Sequence, residues 1–231
     1  MSMFLSGYGS VLWDGTWMSI KLALLSLLLS VIIGLIGAVC KLSRIKMVRY
    51  VATVYTTLIR SVPDLVIMLL LFYSLQLGLN SITDSLQMDQ IDIDPFAAGV
   101  ITLAFIYGAY FTETFRGAFQ SVPKGQIEAA YAYGMTPFQV FRRVLFPQMM
   151  RFALPGIGNN WQVILKATAL VSLLGLEDVV KATQLAGKST WQPFFFAIVC
   201  GLIYLVFTTA SNGILLLLER RYSVGVKRAD L

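Results

Sequence analysis

Four charged side chains lie within long apolar stretches of this sequence: Arg60, Asp64, Glu113 and Lys166. An ionisable group at membrane depth costs at least about 2.5–3.5 kcal/mol, so it is normally paired or faces a polar cavity. Such residues can bind a polar solute or hold helices together. Both interpretations are open for Arg60 and Asp64, which could pair across a helical turn that Pro63 distorts. For Glu113, three residues before Arg116, we favour a structural ion pair.

The composition excludes several kinds of chemistry. The sequence contains no histidine, so it has no Ser-His triad, imidazole proton relay or histidine zinc ligand. Cys40 and Cys200 lie in or beside apolar runs, and we expect them to pack rather than form a disulfide or a metal site. Only 13% of the residues are charged, against about 25% in soluble domains. This shortfall excludes a soluble enzyme and a disordered chain, and it favours a polytopic membrane protein.

Five segments are long and apolar enough to cross a bilayer, for which a helix needs about 20 residues. We place these spans at about 19–40, 51–79, 95–118, 149–176 and 191–218. The fourth is the most polar because it carries Asn159, Asn160, Gln162 and Lys166. The sequence therefore predicts an all-α integral membrane protein with a transmembrane domain at 19–218. Segment 1–18 would be external and segment 219–231 a cytoplasmic tail.

Basic residues indicate the orientation, since cytoplasmic loops are enriched in Lys and Arg. Most of the 18 basic residues lie between the first two spans, around the loop after the third span, or in the tail. The opposite loop, 80–94, contains Asp84, Asp89, Asp92 and Asp94 but no Lys or Arg. We therefore expect the N-terminus outside and the C-terminus in the cytoplasm.

The longest cytoplasmic segment, 121–147, is predicted to form two short helices. Pro123 suits a first helical turn and Gly134 a C-terminal cap. Thr136 and Pro137 suit the N-cap and first position of the second helix, which Pro147 would end. In that helix Phe138, Phe141 and Leu145 fall on one apolar face.

The sharpest pattern is Glu128-Ala129-Ala130, followed by Gly134 and then by Pro147. Paired alanines allow another protein surface to approach a helix closely, and the glycine turns the chain into the next helix. An amphipathic hairpin lying on the membrane surface accounts for the same residues. Geometry alone leaves both interpretations open.

Residues 122–130 (VPKGQIEAA) and this spacing resemble the EAA loop of permease subunits of ABC importers. Residues 109–118 (AYFTETFRGA) match the A-Y-x-x-E-x-x-R-G pattern of the polar-amino-acid branch. Residues 165–172 (LKATALVS) are similar to its L-K-x-T-S-L-x-S pattern, with Ala169 in place of serine. Residues 59–63 (IRSVP) resemble its R-G-T-P segment, with Ser61 and Val62 as departures. The likeness is strongest to Q-type permeases of histidine and lysine/arginine/ornithine importers, including the ending 224–231 (VGVKRADL).

The resemblance implies a type I importer permease fold and inward transport of polar, cationic L-amino acids across the bacterial inner membrane. Such a subunit is not an enzyme and binds no cofactor, because ATP-Mg is bound by two cytoplasmic ATPase partners. The other implied partners are a second permease subunit, expected to be a paralogue, and an external solute-binding protein; membrane lipid surrounds the chain, and no nucleic acid is expected.

Two groups of residues take roles from this resemblance. The resemblance implies that the residues which couple the subunit to the ATPase are Glu128, Ala129, Ala130, Gly134, Phe138, Phe141 and Pro147. The candidates for the substrate pathway are Arg60, Asp64, Glu113, Lys166, Thr168 and Ser172. Asp64 stands where the family usually has an apolar residue, and a carboxylate there would suit a cationic substrate.

Residues 182–189 (ATQLAGKS) fit a permissive version of the P-loop pattern. A working P-loop needs a preceding strand and a helix N-terminus that holds phosphate, whereas this segment follows a span on the external side. We therefore interpret the match as coincidence and expect an external loop, whose Glu177 and Asp178 could touch the binding protein.

Two other classes of function compete with the importer subunit. A secondary transporter or channel would work without ATPases, and inverted repeats with broken, paired helices would support it; we find none in the sequence. A membrane-anchored interaction protein would have no transport role. Co-purification with an ATPase separates the three.

Overall fold

The computed structural model of this protein describes residues 7–222, and the regular structure in this range is entirely helical. The helices are α1 Gly9–Leu42, α2 Lys46–Ser61, α3 Asp64–Ser85, α4 Pro95–Gln120, α5 Lys124–Ala132, α6 Pro137–Val140, α7 Phe146–Val171, α8 Val179–Ser189 and α9 Pro193–Tyr222. A π-helical turn, Phe141–Leu145, joins α6 to α7, and a 3₁₀ turn, Ser172–Leu174, follows α7. The all-α prediction is confirmed. The ending 224–231 and residues 1–6 lie outside the described residues.

Helix α4 is the centre of the fold, and α1 packs most extensively against it. Tyr107 and Phe111 of α4 are almost fully buried. Glycines bring the two backbones together, because a Cβ atom at Gly34 would overlap Phe111 and one at Gly37 would overlap Thr112. Small residues allow this close approach in membranes, where dispersion contacts and interhelical hydrogen bonds drive helix association. The polar residues of α4 are thereby held at fixed positions.

The outer faces of α1 and α9 are apolar and exposed. Leu28 and Ile36 of α1, and Leu205 and Leu217 of α9, each expose more than half of their surface. Exposed apolar area of this extent is unusual in a soluble monomer. It is what a helix presents to lipid, because α-helical hydrogen bonding satisfies the backbone without water.

Four helices of the described residues are long and apolar enough to span a membrane: α1, α3, α4 and α9. Helix α7 has 26 residues, which is long enough, but it is more polar and falls outside this group. Two of its polar side chains have internal partners: Asn160 donates to Thr114 Oγ1 at 3.1 Å and Gln162 donates to Asn212 Oδ1 at 2.6 Å. The predicted count of five spans is therefore not confirmed by hydropathy, although a fifth long helix is present.

The second predicted span, 51–79, is not one continuous helix. The helix is interrupted at Val62 and Pro63, which separate α2 from α3. Val62 is extended, with φ −109° and ψ 142°, because the proline ring disfavours helical geometry in the preceding residue. Proline also lacks the N–H that a continuous helix would use at this point. Asp64 consequently becomes the first residue of a new helix.

Segment 121–147 contains two helices as expected, but their limits differ from the prediction. Pro123 is the N-cap of α5 rather than part of its first turn. Pro147 does not end the second helix, because the chain stays helical from α6 through the π-turn into α7. The wider π-turn directly precedes Pro147, and this local irregularity in the helix accommodates a residue without a backbone N–H.

The segment after α7 is also more ordered than predicted. Gly175 turns the chain with φ 98°, and residues 179–189 form α8 instead of a loop. The stretch that matches the P-loop pattern lies inside this helix, with Gly187 buried against Pro193. No strand precedes it within the described residues, and a helical backbone cannot wrap around phosphate. The interpretation of the match as coincidence agrees with this geometry.

Candidate functional site

The break between α2 and α3 creates a polar site beside the middle of α4. Asp64, half-buried at the start of α3, accepts a hydrogen bond from the Tyr107 hydroxyl at 2.8 Å. The Tyr110 hydroxyl lies 3.5 Å from its other carboxylate oxygen. Tyr107 is midway along α4, so the carboxylate lies at the depth of the helix centre. A charged group at this depth is expected to serve a function.

Arg60, at the end of α2, lies on the other side of Tyr110. Its guanidinium carbon is 5.4 Å from the centre of the Tyr110 ring, a cation–π distance. Arg60 and Asp64, for which the sequence left a pair across a helical turn open, form no ion pair in the described residues, where Glu113 provides the carboxylate of both ion pairs. The two residues belong to separate helices, so the four-residue spacing has no helical meaning. Arg60 and Asp64 therefore offer separate positive and negative groups.

Glu113 is the centre of a second charged cluster. Arg116 pairs with it at 2.7 Å, which confirms the predicted structural pair. Lys41, at the end of α1, forms a second ion pair with Glu113 and donates to Thr56 of α2 at 2.9 Å. Sequence reasoning missed Lys41 because 72 residues separate it from Glu113. The cluster ties α1, α2 and α4 together.

One polar concavity of about 460 Å³ adjoins both sites, and it reaches the first through Arg60 and Tyr110 but not through Asp64. Its lining consists of Lys41, Thr56, Thr57, Arg60, Ser61, Tyr110 and Glu113. This volume lies within the range of small-molecule sites, about 300–1,000 Å³. Hydroxyls and charged groups thus line the surface between Arg60 and the pair formed by Lys41 and Glu113.

The remaining pathway candidates lie on α7 or in the 3₁₀ turn that follows it, and they do not join this group. Lys166 is exposed. Thr168 is buried and its hydroxyl lies 3.3 Å from the Tyr204 hydroxyl of α9. Ser172, in the 3₁₀ turn, donates to the Ala169 carbonyl at the end of α7. The structure therefore brings together Arg60, Asp64 and Glu113, and leaves Lys166, Thr168 and Ser172 elsewhere.

The turn at Gly134 has the local geometry that its sequence predicts. Gly134 has φ 76°, and the N–H groups of Met135 and Gly134 donate to the carbonyls of Ala130 and Tyr131. These two bonds define a Schellman cap, for which a left-handed glycine is preferred. Thr136 and Gln139 form a reciprocal capping box at the start of α6. Helices α5 and α6 are therefore joined by a fixed angle.

The candidate coupling residues differ in exposure. Glu128 and Ala129 are exposed, whereas Ala130 is 4% exposed and packs inside this chain. The expectation that another protein's surface lies against both alanines is therefore wrong for Ala130, which faces inward. Phe138 is 69% exposed and Phe141 43% exposed. Pro147, in the first turn of α7, is half-buried.

Two tyrosines extend the exposed aromatic surface of this turn. Tyr131 is 50% exposed and Tyr133, directly before Gly134, is 85% exposed. Sequence reasoning missed both, although their position beside the paired alanines was a signal. Clustered exposed aromatic side chains at a chain reversal indicate an interaction surface.

Asp178 does not form the external contact that was predicted for it. The residue is fully buried and its Oδ1 accepts the Lys181 N–H at 2.9 Å, which caps α8. Its other oxygen has no hydrogen-bond partner within the described residues. Burial raises the pKa of the Asp178 carboxyl to about 6, because a low-dielectric site disfavours the charged form. Glu177 is exposed and keeps the predicted accessibility.

We expect protein stability to fall between pH 5 and pH 7 because Asp178 becomes charged in this range. A folded-state pKa of about 6, above the unfolded value, gives stability that is present at low pH and is lost as pH rises through 6. The expected loss over this interval is about 1–1.5 kcal/mol. Because the chain has no histidine, few other groups in it titrate here.

Thermal unfolding of the purified transporter, followed by intrinsic fluorescence, measures this effect. Asp178→Asn keeps the oxygen that caps α8 but cannot ionise. The fall in unfolding temperature between pH 5 and pH 7 that the parent protein shows should therefore be absent from this variant. Glu177→Gln is the matched control and should behave as the parent does. An unchanged pH slope in Asp178→Asn would show that Asp178 is not the titrating group.

Comparison with known proteins identifies the family. Residues 9–224 match the model of the binding-protein-dependent transport system inner membrane component. The chain is similar to the histidine/lysine/arginine/ornithine transport system permease protein HisQ of Salmonella typhimurium, with 72% identity over 98% of this chain and 100% of that protein. It is 70% identical to HisQ of Escherichia coli over the same shares.

A solved structure described as an amino acid ABC transporter with histidines superposes with a TM-score of 0.79. The two chains are 33% identical, and the match covers 96% of this chain and 98% of the other. The similarity in sequence and the similarity in fold therefore both extend over nearly the whole length of these relatives. The chain belongs to the family of inner membrane components of binding-protein-dependent transport systems.

Proposed function

We propose that this chain is a permease subunit of an ATP-driven importer of cationic and polar L-amino acids. The observation that carries the proposal is the site at the α2–α3 break, where Asp64, Tyr107, Tyr110 and Arg60 meet beside the middle of α4. The names of the relatives, which refer to histidine, lysine, arginine and ornithine, favour the same substrates. The subunit makes and breaks no substrate bond, so its role is transport rather than catalysis.

The groups at this site complement an amino acid. The guanidinium of Arg60 has donors available for a carboxylate, and Asp64 can accept from an ammonium or guanidinium group. The N-terminus of α3 starts at this depth, and helix ends at the membrane midplane commonly line solute sites. Tyr110 lies between the two charges and can contact the apolar part of the solute. A cationic L-amino acid thus meets a partner for each of its charged groups.

The break in the second span bears on the competing secondary transporter. A broken helix is one of the two features that would support a secondary transporter. The break between α2 and α3 was not recognised from the sequence alone. The second feature, an inverted repeat, is not found in the sequence, and the family is that of binding-protein-dependent systems. Pro63 accounts for the break without a repeat, so the importer subunit is the better supported function.

The proposed partners are two cytoplasmic ATPases, a second permease subunit and an external solute-binding protein. The contact with the ATPase would be formed or positioned by Glu128, Ala129, Gly134, Phe138 and Phe141. We propose that this chain holds no nucleotide, metal or other cofactor, since ATP-Mg belongs to the ATPase subunits. Affinity purification of the tagged chain should recover an ATPase; its absence from a stable, folded preparation would contradict this assignment.

The continuous helix from α6 to α7 offers a path for the coupling motion. Gln148 of α7 donates to Gln126 of α5 at 2.5 Å, so the two elements are joined near the turn. Asn160 of the same helix donates to Thr114 of α4. A displacement of α5 by a closing ATPase would therefore pass along α7 to the helix that bears Tyr107 and Tyr110.

The proposed orientation places the N-terminus outside and the α5–α6 turn in the cytoplasm. The acidic loop between α3 and α4 then faces outward, and the basic ends of α1, α2 and α9 face inward. A cysteine replacing exposed Asp89 should react with an impermeant thiol reagent in intact cells, in a background without Cys40 and Cys200. A cysteine replacing Lys124 should react only after the membrane is opened. The reverse labelling would overturn the orientation.

A further inference from the structure

An apolar groove opens on the outer surface between α1 and α2. It has a volume of about 490 Å³, and its walls include Ile36 of α1, Val51 and Tyr55 of α2, and Phe105 of α4. The Tyr55 hydroxyl donates to the Phe105 carbonyl at 2.5 Å, so the ring presents its apolar surface to the groove. Ile36 and Val51 are each more than half exposed. The groove therefore accepts an apolar occupant from the membrane.

The groove extends over most of the thickness of one leaflet. Its walls run from Ile33 to Cys40 on α1 and from Met47 to Tyr55 on α2. At 1.5 Å per helical residue these stretches are about 10–12 Å long. Half of the hydrocarbon core of a bilayer is about 15 Å. A single acyl chain fits this length, whereas a protein helix, about 10–12 Å in diameter, would need a much larger volume.

Positive charge lies at one end of the groove. Met47 belongs both to the groove and to an adjoining concavity lined by Lys46, Arg49, Tyr50 and Thr53. Lys46 and Arg49 are exposed, and neither forms an ion pair with a carboxylate in the part of the chain that the structure describes. Basic pockets at the cytoplasmic ends of membrane helices attract anionic headgroups. Charge complementarity thus selects the kind of lipid.

We propose that this groove binds one anionic phospholipid, with an acyl chain between α1 and α2 and its phosphate held by Lys46 and Arg49. Tyr50 lies beside the phosphate at the depth where aromatic side chains favour the interface. The site involves none of the residues that we place in the substrate site or the ATPase contact. Its test measures lipid binding directly and does not depend on the transported substrate.

Native mass spectrometry of the purified transporter complex, titrated with equal amounts of phosphatidylglycerol and phosphatidylcholine, tests the headgroup. The parent complex should retain phosphatidylglycerol at least fivefold over phosphatidylcholine. Lys46→Gln with Arg49→Gln should reduce this ratio to about one. Arg220→Gln with Arg221→Gln removes the same charge at the cytoplasmic end of α9 and should leave the ratio unchanged. No preference in the parent, or equal loss in this control, would overturn the proposal.

A second variant tests the acyl chain. Val51→Trp fills the groove from an exposed position, so the amount of retained phosphatidylglycerol should fall severalfold while the complex stays intact. Leu202→Trp places the same ring on the exposed face of α9 and should retain the lipid. Dissociation of the permease subunits by Val51→Trp alone would show that a protein occupies the groove and would overturn the lipid assignment. Undiminished lipid retention in Val51→Trp would do the same.

Discussion

Gly134→Asp is expected to abolish ATP-driven amino-acid uptake while the protein still inserts in the membrane. Gly134 has φ 76°, and a side chain in this left-handed conformation costs about 1–2 kcal/mol. No atom lies within 4 Å of an added Cβ, so the strain is local to the turn and does not disturb the core. Relief of this strain would rotate α6 relative to α5 and move the exposed rings of Phe138 and Phe141. The ATPase contact would then lose its geometry.

The measurement is uptake together with stimulation of ATP hydrolysis by the loaded binding protein. We expect uptake below about a tenth of the parent rate, with ATP hydrolysis either lost or no longer stimulated. Gly125→Asp is the matched control, because Gly125 lies on α5 with open space around it and has an ordinary helical φ. It adds the same charge near a helix N-terminus, where it is tolerated. Normal uptake and stimulation in Gly134→Asp would contradict the coupling assignment.

Asp64→Asn is expected to reduce arginine uptake by about tenfold to a hundredfold, with a smaller effect on a neutral substrate. The asparagine oxygen can still accept the Tyr107 hydroxyl bond that Asp64 accepts now, so the local packing is preserved. What is lost is the negative charge, and a hydrogen bond to a charged group contributes about 1.5–3 kcal/mol. A cationic side chain depends on that charge, and a neutral side chain does not.

Arginine and histidine uptake, both measured at pH 8, provide the comparison. The histidine side chain is neutral at this pH, since its pKa is about 6.5, so its uptake should fall much less. Asp84→Asn, an exposed aspartate at the far end of α3, is the matched control and should leave both rates unchanged. An equal fall for arginine and histidine in Asp64→Asn would indicate that Asp64 only holds α3 against α4.

The features that the sequence predicted correctly depend on neighbours in the chain. The Gly134 cap, the Thr136 cap and the pair between Glu113 and Arg116 each involve residues a few positions apart, where spacing determines geometry. The all-helical class follows from composition, because a span in lipid must satisfy its own backbone. These are local or global properties, and neither requires knowledge of which helices touch.

The features that the sequence did not reveal depend on contacts between distant elements. The bond from Tyr107 to Asp64 joins positions 43 residues apart, and Lys41 reaches Glu113 across 72 residues. The inward packing of Ala130 and the burial of Asp178 likewise follow from which helices meet. The break at Pro63 is different, since Val62 before a proline was a local signal, and a strong apolar pattern on both sides obscured it.

Uptake of labelled arginine into proteoliposomes is the most direct test of the central claim that this chain is a permease subunit of an ATP-driven importer. The vesicles contain the chain with its co-purified partners, ATP-Mg is trapped inside, and the solute-binding protein is added outside. We expect arginine to accumulate only when both ATP and the binding protein are present. Accumulation that persists without ATP, driven by an ion gradient, would contradict it.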